Sequence, residues 1–597
     1  MRLVNLTING KEVSVPAGTK ILDAAKQVNI NIPNLCHLKM DEINMVNQCA
    51  SCRVCMVSTK KGLVPACGTN VKEGMVVETN TKEALRFRKN VVELLLSDHP
   101  QDCLSCSKNG KCELQDIAAE LGIRKVRFRG EQSSSPIDTS SKSIVKDHDK
   151  CILCRRCETM CNEVQTVGVL SGINRGFNTE VGTFFNSNLC DTECTFCGQC
   201  ISVCPTGALM EKDNTLEVWD ALSQKEKPVM VQVAPAVRVG ISEEFGLKPG
   251  SISTGKVVSA LKLLGFDYVF DTNFAADLTI MEEGTEFIKR LQQNQNLPIL
   301  TSCCPAWVNF VEHEYPDLIN HLSTCRSPQG MFSPIARYYF ADKVLNKKPD
   351  EVIIVSIMPC VAKKYEASRK ELGIDGIIDT DLSITVRELA RMIKEAGLDL
   401  AKLEESEFDS PLGYSTGAAD IFGVTGGVLE AALRTAYEVI TDEILEDIDF
   451  NAVRGMEGIK EASININGKT INVAAASSLG NARILMDELR SGKSKYHIIE
   501  IMACPGGCVA GGGQPFHYGD YEKVKARGNG LYDIDANKSI RKSHENPDIQ
   551  KLYAEFLGEP NGNIAHKYLH THYFDKSNVY GKNLSDKELA TNTSADQ

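Results

Sequence analysis

The sequence predicts a multidomain chain of mixed α+β and α/β class. Its 597 residues are too many for a single hydrophobic core. Near the N-terminus, two alternating apolar stretches flank Asn9-Gly10, a strong hairpin signal, and a helical pattern follows them. Farther along, apolar runs such as Val229–Val233 and residues 352–357 alternate with helical segments, which indicates an α/β region with mostly parallel strands.

The cysteine content is unusually high for a soluble protein. The chain has 23 cysteines, and 17 of them precede residue 205. A disulfide framework is disfavoured because the chain is long and starts with a strand pattern instead of a signal peptide. No apolar run reaches the roughly 18 residues of a membrane span, and the net charge of −12 disfavours nucleic acid. We therefore expect metal binding, a cytoplasmic location, and neither a membrane nor a nucleic-acid partner.

Residues 1–80 carry the first candidate metal site. Cys52 and Cys55 form a CxxC pair, and one distant cysteine stands on either side of it, at Cys36 and Cys67. Cys49 makes a second CxxC pair with Cys52, so the register is open from spacing alone. Four such thiols suit an iron–sulfur cluster or a structural zinc ion.

Residues 81–126 carry a second pattern, in which a histidine precedes three cysteines. The residues are His99, Cys103, Cys106 and Cys112, spaced H-x3-C-x2-C-x5-C. Imidazole can replace a thiolate on an iron–sulfur cluster. Zinc bound by three cysteines and one histidine is the alternative.

Residues 127–213 contain the bacterial two-cluster ferredoxin spacing twice. Three cysteines on one tight loop hold one cubane, and the fourth reaches the other cubane. One predicted quartet is Cys151, Cys154, Cys157 and Cys204, and the other is Cys194, Cys197, Cys200 and Cys161. Cys190 falls outside this pattern and is expected to be a buried bystander.

Residues 214–574 form the α/β region, and three of its segments contain cysteine motifs. The segments are Thr-Ser-Cys-Cys-Pro-Ala-Trp at 301–307, Met-Pro-Cys at 358–360 and Met-Ala-Cys-Pro-Gly-Gly-Cys at 502–508. Cys304, Cys360, Cys504 and Cys508 suit a cubane or zinc, which leaves Cys303 without a cluster partner. The polar stretch 575–597 is expected to be a disordered tail.

These segments, together with the cysteine-rich half before them, closely resemble the iron–iron (FeFe) hydrogenases of the multi-cluster, clostridial type. The resemblance covers residues 1 to about 574. It implies a β-grasp 2Fe-2S domain, a small His/Cys3 4Fe-4S domain, a two-cluster ferredoxin-like domain and a large catalytic domain with mostly parallel sheets in two lobes. It also favours Cys52 and Cys55 over the register that includes Cys49.

The resemblance implies a specific set of cofactors and a reaction. The cofactors are one 2Fe-2S cluster, three accessory 4Fe-4S clusters and the H-cluster. The H-cluster is a 4Fe-4S cubane that Cys508 bridges to a two-iron subcluster with CO, cyanide and a dithiolate bridge. The implied reaction is 2 H⁺ + 2 e⁻ ⇌ H2, with ferredoxin or flavodoxin as electron partner and with maturation proteins that load the site.

The same resemblance assigns roles to side chains around the H-cluster. It implies a proton relay of Cys303, Glu283, Ser323, Glu286 and Arg290, whereas the residues alone suggest a packed thiol and a solvated helical face. It implies that Lys363 pairs with a cyanide. The positions that match the wall of the two-iron site are Pro235, Ala236, Ser327, Pro328, Gln329, Met358, Phe422 and Met502, for which plain core packing is the alternative.

Several functional alternatives remain open at this point. The same domains occur in catalytic subunits of NAD(P)-coupled, electron-bifurcating hydrogenases, although the lack of cysteine beyond Cys508 favours a stand-alone enzyme. A non-catalytic assembly factor and a sensor are further alternatives. A basic cluster at Arg124, Lys125, Arg127 and Arg129 is either a solvated face or a docking patch for an acidic ferredoxin.

Overall fold

A computed structural model describes residues 2–47 and 50–577 of the chain. Cys49 and most of the predicted polar tail lie outside these residues, so the alternative register and the expected disorder are not addressed. Across the described ranges, no helix is both long enough and apolar enough to cross a lipid bilayer.

The N-terminal domain is a mixed five-stranded sheet with one helix, Ile21–Gln27, packed on it. In sheet order, the strands are Lys11–Pro16, Leu3–Ile8, Met75–Glu78, Met56–Thr59 and Gly62–Pro65. The first and last pairs are antiparallel, and Leu3–Ile8 runs parallel to Met75–Glu78. A small two-stranded ribbon, Lys39–Met40 with Met45–Val46, follows the first candidate ligand, Cys36.

Two smaller units follow in the chain. The helices Lys82–Asp98 and Glu113–Glu120 flank the loop of His99, Cys103 and Cys106. The ferredoxin-like unit then has two antiparallel strand pairs and two short helices. Its elements are Ile144–Lys146, Arg156–Thr159, Ser171–Ile173, Glu180–Gly182, Gln199–Val203 and Leu209–Glu211.

The large α/β region is built on two four-stranded sheets. One sheet is entirely parallel, in the order Tyr268–Asp271, Val229–Val233, Ile353–Met358 and Leu382–Thr385. The other has the order Ile299–Leu300, Ile498–Met502, Lys469–Ser477 and Ile459–Ile466, and only its last strand is antiparallel. The central strands Val229–Val233 and Ile498–Met502 are buried at every position, as expected for strands covered on both faces.

Helices cover both sheets and fill the space between them. The α-helices are Thr215–Ser223, Val237–Gly240, Thr254–Leu264, Thr272–Gln293, Pro305–Glu314, Pro328–Pro334, Ala341–Lys343, Ala362–Ala367, Val386–Glu395, Gly417–Asp420, Gly427–Thr441, Leu479–Arg490, Tyr521–Asn537, Pro547–Leu552 and Asn563–Leu569. Thr272–Gln293 begins directly after a strand, and the Asp271 side chain accepts a hydrogen bond from the Asn273 amide at its start. It runs past the region where the two sheets meet, and it carries Glu283, Glu286 and Arg290.

The ferredoxin-like unit packs closely on the α/β region. A Cβ on Gly512 would lie 2.8 Å from the Cα of Gly198, which is part of a predicted cluster loop. No side chain fits between these two backbones, so glycine is required at the contact. The carbonyl of Ala510 also accepts a hydrogen bond of 3.0 Å from the Gln199 side chain. The loop of Cys197 and Cys200 is thereby fixed beside the segment of Cys504 and Cys508.

Candidate active site

Four cysteines from three distant segments line one cavity between the two sheets. Cys304 follows the strand Ile299–Leu300, and Cys360 and Cys504 each lie two residues beyond a strand. Cys508 completes the set, four residues after Cys504. Because parallel strands present their carboxyl ends at one edge, the two sheets bring these thiols together although up to 204 residues separate them in sequence.

These thiols are removed from water, and backbone amides lie near one of them. Burial raises the pKa of all four, that of Cys508 to about 12. Cys304 is also the N-cap of the helix Pro305–Glu314, and the Ala306 and Trp307 amides lie close enough to its sulfur to favour the thiolate. Iron bound to each sulfur would offset the cost of burying thiolates, and a cubane presents one iron to each of four cysteines.

The cavity has a volume of about 70 Å³, and its walls beyond the sulfurs are mostly apolar. Most of the residues predicted to surround the two-iron site line it, namely Pro235, Ala236, Pro328, Gln329, Met358, Lys363, Phe422 and Met502, with Cys303. Ser327 is the exception among the predicted residues. Its hydroxyl donates to Glu366 at 2.9 Å and is not part of the lining. Thr272, at the start of its helix, is a lining residue that the sequence reasoning did not name.

Glu366 organises the polar side of the cavity, although no sequence motif points to it. One oxygen of its carboxylate accepts hydrogen bonds of 2.9 Å from Ser327, Gln329 and Lys363. The Lys363 ammonium also donates to the Cys303 carbonyl at 3.2 Å. Burial lowers the pKa of Lys363, but the Glu366 carboxylate more than compensates and the pKa is raised, so the ammonium stays charged. Glu366 thus holds a cation at the cavity wall.

The residues of the predicted proton relay follow one another in space from the cavity toward the surface. The Cys303 thiol is half-buried in the cavity wall, and its removal from water, followed by the charge of Glu283, raises its pKa. The Ser323 hydroxyl donates to Glu286 at 2.8 Å, and Arg290 donates to the other oxygen of Glu286 at 2.5 Å. Arg290 is further bonded to the carbonyls of residues 320–322 and is only 12% exposed, so it ends the series just below the surface.

Glu283 is the least satisfied group of this series. Both its carboxyl oxygens are buried, and no described residue makes a hydrogen bond to either of them, although Ser323 and the Ser302 amide are near enough to act on its charge. Burial, and then the negative charge of Glu286, raise the pKa of Glu283 to about 8. A carboxyl with that pKa can both take up and release a proton near neutral pH.

The predicted 2Fe-2S ligands are brought together in the N-terminal domain. The sulfurs of Cys55 and Cys67 are 3.4 Å apart, the Cys52 sulfur accepts from the Cys36 amide at 3.4 Å, and Cys36 interacts with both Cys52 and Cys67. Asn47 links this site to the next one, because its side chain donates to the carbonyls of Cys36 and Cys154 at 2.6 and 3.0 Å.

The two predicted ferredoxin quartets are also assembled as expected from their spacing. Cys204 acts electrostatically on Cys151, Cys154 and Cys157, and Cys161 acts on all three members of the other quartet. The quartets adjoin each other through Cys200 and Cys204, and Cys197 adjoins Cys304. The thiols therefore form an ordered series that ends at the cavity.

The His/Cys3 motif lies at the other end of this series. The Cys106 sulfur is next to Gly207, where an added Cβ would approach it to 2.8 Å, and Cys106 also acts on Cys112. His99 is mostly buried, and its Nδ1 has no hydrogen-bond partner among the described residues. Such an unpaired nitrogen, four residues before Cys103 in the sequence, fits a metal ligand. Cys103 is exposed, so this site is the nearest of the predicted ones to solvent.

Cys190 was expected to be buried, and that expectation is wrong. Its side chain is exposed, and its thiol donates to the Asp191 carboxylate at 3.4 Å. It sits on a loop outside the hydrophobic core, so the usual tendency of free cysteine to pack inside does not apply here.

Family comparisons agree with the order of these sites. The sequence matches family profiles described as 2Fe-2S iron-sulfur cluster binding domain (1–82), NADH-ubiquinone oxidoreductase-G iron-sulfur binding region (88–127), NADH-quinone oxidoreductase subunit 3, ferredoxin-like domain (141–210), iron only hydrogenase large subunit, C-terminal domain (227–512), and iron hydrogenase small subunit (521–576).

Individual relatives extend over the whole chain. The NADP-reducing hydrogenase subunit HndD of Solidesulfovibrio fructosivorans is 53% identical over 97% of this chain and 100% of its own length. The chain belongs to the iron-only (FeFe) hydrogenase family. Iron hydrogenase 1 of Clostridium pasteurianum is 41% identical over 95% of this chain and 99% of its own. A solved apo structure of a variant of the [FeFe]-hydrogenase HydA1 of Chlamydomonas reinhardtii superposes with a TM-score of 0.56 at 42% identity, over 61% of this chain and 99% of that one.

The pKa of Glu283 leads to a prediction about stability. Between pH 4.5, where a glutamate in the unfolded chain loses its proton, and about pH 8, the Glu283 carboxyl of the folded chain keeps its proton. The folded state therefore binds more protons in this window, and its stability falls as pH rises. Glu283→Gln should remove up to about 4 kcal/mol of the loss in unfolding free energy that the parent protein undergoes across this pH range. We expect the melting temperature of this variant to drop less between pH 5 and pH 8 than that of the parent protein.

The matched control for this measurement is Glu226→Gln, which changes an exposed glutamate. Its melting temperature should follow that of the parent protein at both pH values. Equal pH dependence in the parent and in Glu283→Gln would show that the Glu283 carboxyl titrates normally.

Proposed function

We propose that this protein catalyses 2 H⁺ + 2 e⁻ ⇌ H2 at the cavity of Cys304, Cys360, Cys504 and Cys508. The observation that carries the proposal is the position of the Cys303 thiol. It lines the cavity together with the four candidate ligands, and the buried Glu283 is close enough for its charge to raise the pKa of this thiol. A thiol in that place can pass protons between the cavity and the interior carboxyl, which a structural iron–sulfur site does not need.

The cavity suits the H-cluster that this family carries. Four thiols would hold the cubane, with Cys508 as the bridge to the two-iron subcluster, and the apolar walls would exclude water from CO and cyanide ligands. When bound, that group would supply the metal position at which protons and electrons combine. The chain's own part is to hold the Lys363 cation beside it, to keep the site dry, and to deliver protons through Cys303, Glu283, Ser323 and Glu286.

The accessory sites support electron delivery to the cavity. We assign a 2Fe-2S cluster to Cys36, Cys52, Cys55 and Cys67, a 4Fe-4S cluster to His99 with its three cysteines, and two 4Fe-4S clusters to the ferredoxin quartets. These sites follow one another from the exposed Cys103 to Cys197, which is close enough to Cys304 for the charge of Cys304 to raise its pKa, and this order favours electron entry at the N-terminal half. The many cysteines of the described chain that form no disulfide favour a reducing compartment such as the cytoplasm.

The electron partner has two candidates. Ferredoxin or flavodoxin follows from the resemblance to stand-alone enzymes. An NAD(P)-coupled complex, possibly bifurcating, is favoured by the similarity to a relative named as a subunit of an NADP-reducing hydrogenase. The lack of cysteine beyond Cys508 does not separate the two, because this relative aligns over its entire length. Co-purification of flavin-containing subunits would favour the complex, and turnover by the isolated chain with ferredoxin would favour the first candidate.

An assembly factor is the non-catalytic alternative. A relative named as an assembly factor matches less well: cytosolic Fe-S cluster assembly factor narfl of Xenopus tropicalis is 28% identical over 64% of this chain. A pure assembly role gives no reason for Cys303 to line the cavity close to the buried Glu283. Nor does it explain why Met358 and Met502 line the cavity.

The proposal predicts that Cys303→Ala abolishes H2 turnover. Alanine cannot carry a proton, and Cys303 is not one of the four expected ligands, so iron content and the infrared bands of CO and cyanide should stay as in the parent protein. The exposed Cys190→Ala is the matched control and should keep both activity and iron. If Cys303→Ala loses the iron as well, Cys303 is a structural residue and the relay proposal is wrong.

The basic cluster gives a test of the electron partner. Arg127 is bonded to Glu93 at 2.7 Å, but Arg124, Lys125 and Arg129 are exposed near the His/Cys3 motif. Changing these three residues to glutamate should slow turnover with ferredoxin, more strongly at low salt, and leave turnover with a small dye unchanged. Equal losses with both electron donors would mean that the cluster is not a docking patch.

A further inference from the structure

The C-terminal segment of the described chain lies directly over the proton relay. Its backbone pairs with the relay segment, since the Arg326 amide donates to the Leu569 carbonyl and the Thr571 amide donates to the Thr324 carbonyl, both at 2.8 Å. The Tyr573 hydroxyl donates to the Ser323 carbonyl at 2.7 Å. This segment belongs to the region that matches the iron hydrogenase small subunit. It therefore brings side chains of the small-subunit region to a relay built by the large-subunit region.

One of these side chains is His570, which is buried beside Glu286. The reactive atoms of Glu286, Cys325 and His570 lie within 4.8 Å of one another. The ring of His570 is held at both nitrogens, because Nδ1 is 2.8 Å from the Thr324 hydroxyl and Nε2 is 2.9 Å from the Glu282 carboxylate. The Thr324 amide in turn donates to Glu286 at 3.1 Å. His570 thus places an imidazole, which can both accept and donate a proton, beside this end of the relay.

A second histidine connects this point with the surface. The rings of His566 and His570 stack with their centroids 4.0 Å apart, and His566 is exposed. By contrast, the charged side chain that donates to Glu286 is a guanidinium, that of Arg290. Arg290 does not release its proton at physiological pH, and its nitrogens are bound to Glu286 and to backbone carbonyls. Arg290 is therefore well placed to hold Glu286 but poorly suited to carry protons onward.

We infer that His570 and His566 carry protons between Glu286 and solvent, while Arg290 positions the Glu286 carboxylate. This inference rests on the proposed function. During H2 oxidation, a proton leaves the Glu286 carboxyl and binds one ring nitrogen of His570, and the imidazolium passes the proton of its other nitrogen to the stacked His566. His566 then gives a proton to water, and during H2 production the same transfers run in reverse. No electron moves in these steps; His570 is left as its other neutral tautomer, and a flip of its ring restores the starting form.

A purely structural role for His570 is the competing explanation. It is weakened by the neighbours of Glu282, whose carboxylate already accepts hydrogen bonds from the Tyr553 hydroxyl and from the Asn561 amide at 2.8 Å. Glu282 therefore has partners without the histidine. Nor does holding the segment in place require the exposed second imidazole of His566, because backbone pairing already ties residues 569 and 571 to the relay segment.

The test compares single variants of the fully loaded protein. His566→Ala and His570→Gln should each slow H2 turnover by about three- to tenfold, less than the 10²- to 10⁴-fold typical of an isolated acid–base group, because Glu286 is itself 9% exposed and can exchange some protons directly. The solvent isotope effect should rise in both variants, and added imidazole should restore the rate of His566→Ala. Iron content and infrared bands should not change. The matched control is His572→Gln, an exposed histidine of the same segment, which should behave as the parent protein.

The outcomes separate this inference from the proposed function. If the parent protein turns over H2 but both variants match His572→Gln in rate and isotope effect, the histidine outlet is wrong and the proposed function stands. A slower His566→Ala that imidazole does not rescue would also contradict the outlet. If His570→Gln loses iron, its slower rate has a structural cause. The restoration of the His566→Ala rate by added imidazole then decides whether the outlet is correct. If the loaded parent protein shows no H2 turnover, the proposed function and the outlet fall together.

Discussion

The structure depends on the burial of sulfur atoms at the carboxyl ends of two sheets. Three of the four thiols around the cavity come from loops that directly follow parallel strands, and the sheets supply the rigid support for them. Burial raises the pKa of each thiol, which makes buried thiolates unfavourable on their own and a multivalent cation beside them favourable. The same fold that assembles the ligands thus creates the electrostatic demand for iron.

Desolvation also accounts for the acid–base properties around the cavity. Glu283 has a raised pKa because its oxygens are buried without partners among the described residues, and Lys363 stays charged because Glu366 is buried with it. A carboxyl with a pKa of about 8 and an ammonium that stays charged therefore both lie near Cys303. Both groups are removed from water, but their neighbours differ. The carboxyl of Glu283 therefore has a raised pKa, whereas the ammonium of Lys363 stays charged.

The sequence predicted those parts of the site that local spacing determines. The ferredoxin quartets follow from their spacing, because a tight loop fixes where its sulfurs point, whereas in the N-terminal domain the spacing leaves two registers and the resemblance selects Cys52 and Cys55. Glu366 and His570 could not be found in this way. Each acts through partners that lie up to 288 residues away in sequence, such as Glu282 for His570, and neither belongs to a motif. The exposure of Cys190 likewise depends on which way a loop faces, which its neighbours in sequence do not specify.

The central claim is that the four thiols of Cys304, Cys360, Cys504 and Cys508 hold an iron group that carries CO and cyanide. Metal and sulfide analysis of the protein purified without oxygen, combined with its infrared spectrum, tests this claim most directly. The account predicts iron and acid-labile sulfide in amounts that fill all the cluster sites, together with CO and cyanide stretching bands that disappear in Cys508→Ala. Zinc in place of iron, or a fully iron-loaded protein from cells with the maturation proteins that lacks these bands, would contradict it.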